Sequence, residues 1–233
     1  MKLIIKKLFS VFFVILLTQL CTACLEIEQE IWLNADGTAR MTNSFVMNLA
    51  PLKEMEKAFA TNGKKSAASF KSQMLFKKAD ILKLERQLKA DPDVTSAKVT
   101  SNEKDGRITF LVEVSVKNWT ALNRVQRQVD EQKKSKDKRT PAMDKLLSAK
   151  KETILLLQKF PASKGSPKSS EVTNAMAQNL LGDSHIELTI HAPKILSHNG
   201  EKKDAHTVHW MTLLSDDVKK SRAHTWKATF KLK

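Results

Sequence analysis

Residues 25–49, LEIEQEIWLNADGTARMTNSFVMNL, alternate between apolar and polar side chains on both sides of a turn sequence. In the first half, leucines and isoleucines fall on one side of an extended chain and three glutamates fall on the other, which is the pattern of a half-buried strand. Asp36-Gly37 is a turn dipeptide. The apolar side chains after it that share a face are Met41, Phe45, Met47 and Leu49. The stretch therefore predicts a β-hairpin.

The same layout recurs at residues 97–116, where NEKDGR precedes RITFLVEV, the strongest strand signal in the chain. A helical pattern follows each hairpin: one starts near Pro51 and ends near Asp91-Pro92, and the other starts near Trp119. Two stacked β-β-α units are one explanation of this repeated pattern, and chance similarity of the turn residues is the alternative.

Strand patterns return at the end of the chain, in residues 185–192, 206–214 and 224–233. This brings the predicted total to roughly seven strands. Hairpins separated by helices favour an antiparallel sheet over a parallel nucleotide-binding fold. We therefore predict an α+β fold, with an antiparallel sheet built from hairpins and helices on one face.

Residues 117–168 form a basic zone with 14 Lys and Arg against 5 Asp and Glu. Within it, MDKLLSAKKETILLLQKF (143–160) is amphipathic, and its spacing predicts a helix. The side chains expected to face inward are Leu146, Leu147, Ile154 and Leu157. PASKGSPKSS (161–170) is typical of a linker, and the chain to Gly182 predicts a short helix. We predict a basic helical insertion over about residues 117–182 of a single domain, 24–233.

The first 23 residues have the layout of an export signal. Three lysines precede LFSVFFVILLTQL (8–20), and the small residues Thr22 and Ala23 stand just before Cys24. A retained membrane helix is the alternative, because the run without charges extends to Leu25. The small residues favour cleavage, so we predict that residues 1–23 are a lipoprotein signal peptide.

Cys24 is the predicted lipidation site. Cleavage before Cys24 leaves it as the single cysteine of the mature chain, and acylation would explain why a lone cysteine is present. The alternative is a local disulfide between Cys21 and Cys24. Because each buried CH₂ contributes about 0.8 kcal/mol, two acyl chains form a lasting membrane anchor. The predicted location is the cell envelope, facing the periplasm or the exterior, and the outer membrane if the host has one.

The net positive charge of the chain indicates which kind of partner it could bind. The chain has 40 basic and 25 acidic residues, and loss of three leader lysines leaves 37 against 25, a net charge of +12. Outside the cytoplasm this favours an anionic lipid or polysaccharide over nucleic acid, which we do not expect as a partner. Lysines that only solvate helix faces are an equal alternative.

This combination resembles the LppM-like lipoproteins of bacterial envelopes. The matching pieces, about a quarter of the chain, are Cys24, the strand LEIEQEIWLNADGTA (25–39), HAPKILSHNG (191–200) and HTVHW (206–210). The resemblance implies a domain tethered by lipid in the envelope, with no catalytic residues to assign.

The histidines invite a metal hypothesis because all six lie in the last fifth of the chain, at positions 185, 191, 198, 206, 209 and 224. His206 and His209 would point to opposite faces of a strand, and His185 and His191 share a face about 20 Å apart. Pairing of His191 with His206 or His209 across strands stays open. Surface or turn histidines are favoured, so no metal site and no cofactor is predicted.

No nucleophile motif, phosphate-binding loop or zinc-protease motif occurs, so we do not expect an enzyme. Asp36 and Asp105 each precede glycine in a predicted turn, which explains them structurally. The expected function is binding or scaffolding, with an interaction module in an envelope assembly, using the basic insertion, and a metal-dependent activity of the histidines as alternatives.

A lipid-binding groove is the most concrete binding hypothesis. Met41 and Met47 would line it with adaptable side chains, although ordinary core packing explains most such residues. The lysines expected at its rim, facing an anionic headgroup, are Lys64, Lys65, Lys77 and Lys78.

Overall fold

The computed structural model describes residues 25–50, 78–133, 147–150, 153–160, 184–214 and 224–233. The strands are β1 (Leu25–Leu33), β2 (Ala39–Asn48), β3 (Val94–Lys104), β4 (Arg107–Val116), β5 (Leu147–Lys150), β6 (Thr153–Phe160), β7 (His185–His191), β8 (Lys194–His198), β9 (Glu201–Lys202), β10 (Thr207–Leu213) and β11 (His224–Lys231). The helices are α1 (Lys78–Lys89) and α2 (Leu122–Lys133), which a 3₁₀ turn (Trp119–Ala121) precedes.

Several predictions concern residues outside these ranges. They are the signal peptide 1–23, the lipidation site Cys24, the rim lysines Lys64, Lys65 and Lys77, the linker 161–170 and the helices near 51–77 and 171–182.

The larger sheet has seven strands among the described residues, in the order β3-β4-β2-β1-β7-β10-β9. Its β3–β4 hairpin turns over Asp105 and Gly106, which have φ angles of 52° and 72°. Two successive positive φ angles define the tight turn that matches strand twist. In the β1–β2 turn, Asp36 accepts hydrogen bonds from the backbone and hydroxyl of Thr38 at 2.9 and 2.7 Å. Both aspartates thus have the turn role that the sequence predicts.

The larger sheet departs from the predicted antiparallel arrangement at one place, because β1 and β7 are parallel neighbours. Ile31 of β1 lies opposite Ile190 of β7, and both are fully buried. Side-chain alternation has the same period in either strand direction, so it carries no information about direction. The long connection between β1 and β7 allows the parallel pair, which a tight turn does not.

A second sheet contains the described strands β5-β6-β11-β8. It corrects the prediction that residues 143–160 form a helix, since residues 147–150 and 153–160 are antiparallel strands. Along β6, Ile154, Leu156 and Gln158 are buried and the residues between them are half-buried. This period of two places Leu157, which was expected to face inward, on the other side of the strand.

Helices and the second sheet cover one face of the larger sheet. Leu84 and Leu88 of α1 and Val125 of α2 are buried in the same core as the inward side chains of β1, β2 and β4. Trp210 of β10 stacks on Trp226 of β11, with ring centroids 6.3 Å apart, and joins the two sheets. The α+β class and the placement of the described helices on one face therefore hold, and most of the described residues lie in strands.

No helix in the described part of the chain is long and apolar enough to cross a membrane.

Candidate functional site

The outward face of the larger sheet carries a band of carboxylates and imidazoles. Its side chains alternate with core residues along β1, β7 and β10, because successive residues of a strand point to opposite faces. Glu26, Glu28 and Glu30 of β1 lie opposite His185, Glu187 and Thr189 of β7. We call this set, together with His209 of β10, the acidic–histidine face.

Three of these side chains converge at its centre. A carboxylate oxygen of Glu28, one of Glu187 and a ring nitrogen of His185 all lie within 4.8 Å of one another. His185 Nε2 is 3.5 Å from Glu187 Oε1, and His209 Nε2 is 3.4 Å from Glu187 Oε2. The carboxylate of Glu187 therefore lies between two imidazoles.

The second ring nitrogen of His209 extends the arrangement to the next strand. His209 Nδ1 is 3.9 Å from a carboxylate oxygen of Glu201 in β9. Residues from β1, β7, β10 and β9 thus form one line of alternating acids and imidazoles across four neighbouring strands. Such a line can bind cations or carry protons between its members.

The pKa of the Glu28 carboxyl is raised by its surroundings. Although Glu28 as a residue is exposed, neighbouring side chains partly desolvate its carboxyl and raise the pKa above the ordinary value, and the negative charges of Glu187 and Glu26 raise it further. Only the neighbouring His185 opposes this effect. Like charges directly opposite each other on two strands are unfavourable, so the Glu28–Glu187 pair favours a positively charged partner.

A second group lies at the other end of the face. The rings of Trp32 and His191 stack with centroids 5.2 Å apart, and the Arg40 guanidinium lies 4.8 Å from the Trp32 ring centre. His191 Nε2 is 2.7 Å from Glu30, and its Nδ1 is 3.0 Å from Thr207 Oγ1. Every polar atom of the His191 ring has a partner here, so this group rigidifies the sheet.

The predicted ligand-binding residues inside the described ranges do not share one surface. Met41 is fully buried and Met47 is 4% exposed, and they belong to different core clusters. Gln29 donates a hydrogen bond to the Met41 sulfur at 3.4 Å. Lys78 is exposed at the start of α1. Core packing therefore accounts for both methionines, and the lipid groove stays a prediction.

The histidines separate into different environments. His191 pairs with Thr207 across the strands, so neither of the pairs that the sequence leaves open, with His206 or with His209, forms directly. The ring of His206 lies 2.9 Å from the Pro193 carbonyl, and that of His198 lies 2.9 Å from the Gly200 carbonyl. Of the histidine side chains that the structure describes, His185 is the one within the three-residue cluster.

Sequence reasoning did not single out Glu28 and Glu187 as site residues. In the sequence, the glutamates of β1 fit the solvent-facing side of a half-buried strand, and Glu187 alternates with apolar residues in the same way. A signal was nevertheless present, since HIE at 185–187 places an imidazole and a carboxylate on one face of a strand.

Comparison with solved structures identifies the folded domain of the LppM protein of Mycobacterium tuberculosis, determined by NMR. The TM-score is 0.50 at 13% sequence identity, and the match covers 90% of this chain and 90% of that chain. No protein-family model and no curated protein sequence matches. The chain therefore has an LppM-like fold, and the likeness extends well beyond the quarter of the sequence that suggested it.

Proposed function

We propose that this chain is a lipid-anchored envelope protein of binding type, in which acylated Cys24 holds the LppM-like domain at the membrane and the acidic–histidine face binds a ligand. The leader, the small residues before Cys24 and the fold support the anchored arrangement. The contacts of the outward face support the binding role.

One observation carries the anchoring proposal: the central strand β1 begins at Leu25, immediately after Cys24. The Leu25 amide donates a hydrogen bond of 3.0 Å to the hydroxyl of Ser184, which is fully buried. Acyl chains on Cys24 would therefore be joined to the sheet without a linker. The domain would be held close to the membrane surface, with the first residues of β1 nearest to it.

The ligand follows from the local charge. Although the whole chain is basic, the described acidic–histidine face presents Glu28 and Glu187 side by side and favours a cationic ligand there, whereas Glu26 is already paired with Arg107 at 3.4 Å. The anionic lipid or polysaccharide expected from the rim lysines stays a prediction, because most of those lysines lie outside the described residues. A protein partner for the basic zone also stays a prediction.

Metabolic labelling with an alkyne-bearing palmitate analogue tests the anchor. We expect the wild type to fractionate with membranes, to carry the label and to have a mass that matches an acylated N-terminus at Cys24. Cys24→Ser should abolish the label. Cys21→Ser is the matched control, and it should label normally because processing removes residue 21.

An unmodified thiol at position 24, or a mature protein that begins at Met1, would refute the anchor. Equal labelling of Cys24→Ser and the wild type would place the acyl group elsewhere.

A further inference from the structure

The acidic–histidine face contains a set of donors that neither the core nor the hairpin turns require. Glu28, His185 and Glu187 offer two carboxylate oxygens and one imidazole nitrogen within 4.8 Å of one another. They come from two strands of the larger sheet, with Glu28 and Glu187 paired directly across β1 and β7. A sheet holds such positions more firmly than a loop does.

We propose that Glu28, His185 and Glu187 bind a divalent transition-metal ion such as Zn²⁺, and that this ion is the ligand of the acidic–histidine face. This rests on the proposed function for its biological setting, but the metal chemistry is independent of the lipid anchor.

The donor set selects the class of ion. Calcium takes six to eight oxygen ligands and magnesium prefers oxygen ligands in an octahedron, whereas imidazole nitrogen suits zinc and its neighbours in the first transition row. Two carboxylates and one imidazole resemble zinc sites with three protein ligands that leave a position for water. Zinc binds more tightly than manganese or iron(II) at a given site, so it is the appropriate probe.

The geometry is close to what the ion needs. Zinc binds carboxylate oxygen and imidazole nitrogen at about 2.0–2.2 Å, so two donors on one ion are at most about 4 Å apart. The three donors have to approach by a small amount from their present spacing of up to 4.8 Å. Glu28 is exposed, and its side chain can rotate to supply that movement.

Neighbouring contacts orient the proposed ligands. His209 lies 3.4 Å from the Glu187 oxygen that does not face His185, and its other nitrogen lies 3.9 Å from Glu201. Such hydrogen-bonding partners of metal ligands typically change metal affinity by about 10–100-fold. His209 is therefore a positioning residue: it does not bind the ion itself but orients the carboxylate of Glu187, which does.

Isothermal titration of the full chain, purified in detergent and freed of metal with a chelator, tests the site. We expect one Zn²⁺ per chain, with little binding of Ca²⁺ or Mg²⁺. His185→Gln and Glu187→Gln should weaken Zn²⁺ binding by more than about 100-fold, and His209→Gln by about 10–100-fold. Glu28→Gln should weaken Zn²⁺ binding by about 100-fold, less than the other two ligand substitutions, because Glu28 is the most exposed of the three ligands.

Matched controls change the same residue types elsewhere. Glu103→Gln on the exposed end of β3 and His198→Gln on β8 should leave the affinity unchanged. Co²⁺ substitution gives an independent readout, because its visible absorption should change in His185→Gln and not in His198→Gln. Circular dichroism should confirm that each variant folds.

Two outcomes would overturn the proposal: absence of stoichiometric Zn²⁺ binding, or equal affinity in the wild type and a folded His185→Gln, Glu187→Gln double variant. The titration is repeated with Cys24→Ser. If that variant loses the acyl label but binds Zn²⁺ normally, the two proposals are separable. If the wild type carries the label but binds no Zn²⁺, the metal site alone fails.

Discussion

Asn199 connects the two sheets through its side-chain amide. Its oxygen accepts hydrogen bonds from the Trp210 indole at 3.0 Å and from the Lys227 backbone at 2.8 Å, and its nitrogen donates to the Thr225 carbonyl at 2.7 Å. Trp210 belongs to the larger sheet, whereas Lys227 and Thr225 belong to the second. The sequence HNG at 198–200 predicts a turn, and the structure adds that this turn links the sheets.

Among the glycines that the structure describes, Gly200, next to Asn199, has the least room for a side chain. A Cβ atom there would lie 2.6 Å from the His209 carbonyl oxygen and 2.6 Å from the Trp210 indole ring. Gly200→Ala should therefore force the sheets apart locally and lower the free energy of unfolding by about 1–3 kcal/mol, as measured by urea denaturation. Ser197→Ala, exposed on the adjoining strand, should change it by less than about 0.5 kcal/mol. Equal stability of the two variants would contradict the packing argument.

Asp91 organises the connection between α1, β3 and α2. Its carboxylate accepts hydrogen bonds from Arg124 Nε at 2.5 Å and Nη2 at 2.8 Å, and from the Asp93 backbone amide at 3.0 Å. Arg124 also donates to the Asp93 carboxylate at 2.7 Å. The Arg124 hydrogen bonds hold the pKa of Asp91 below its ordinary value of 3.8.

The lowered pKa of Asp91 gives a pH dependence with a defined sign. The folded state prefers the charged carboxylate, so its stabilisation is complete well above pH 3.8 and is lost as the pH falls through the lower folded-state pKa. Asp91→Asn should lower the free energy of unfolding at pH 7 by about 1–3 kcal/mol, towards the lower end because Arg124 is partly exposed. The gap to the wild type should narrow on acidification.

Chemical denaturation at pH 7 and pH 3 measures this gap. Asp93→Asn is the matched control, since it removes one hydrogen bond from a half-exposed side chain and should cost less. A gap between wild type and Asp91→Asn that widens at low pH would show that the sign is wrong.

At the scale of elements, β6 is the clearest case in which tertiary pairing overrides a local pattern. The run from Ile154 to Leu157 is apolar at every position, so it fits a helix face and a strand equally well. In the structure β11 pairs with β6 along its length and β5 pairs with it on the other side. These partners satisfy the backbone hydrogen bonds that a helix would have satisfied by itself.

Two neighbouring leucines distinguish the strand from the predicted helix. Leu156 is fully buried, so Leu156→Ala should lower the free energy of unfolding by about 2–5 kcal/mol. Leu157 is half-buried on the other side of β6, and Leu157→Ala should cost clearly less. Urea denaturation of both variants measures the difference. The reverse order would favour the helix, in which Leu157 faces inward.

For the whole molecule, the basic zone is not separable from the core. Deleting residues 133–168 would remove β5 and β6 together with the buried Leu147 and Leu156. We expect that deletion to abolish cooperative thermal unfolding in circular dichroism. Replacing Lys134, Lys136 and Lys138 by glutamine removes charge from the basic zone without deleting β5 or β6, so these substitutions are the better test of whether the zone captures a partner. A deletion variant that melts like the wild type would contradict the assignment of β5 and β6 to the core.

What the sequence by itself determined is local. Turn dipeptides and alternating side chains predict the β1–β2 and β3–β4 hairpins, and the apolar spacing places α1 and α2, because these signals depend on residues close in the chain. The leader and Cys24 likewise predict an export signal from a short segment alone.

Only the tertiary structure decided which distant strands are neighbours. Glu28 and Glu187 are 159 positions apart, and the parallel pairing of β1 with β7 brings them together. Alternation shows that each side chain points away from the core but not which strand lies beside it, since many pairings bury the same apolar faces. The acidic–histidine face and the link between the sheets therefore exist only once the chain has folded.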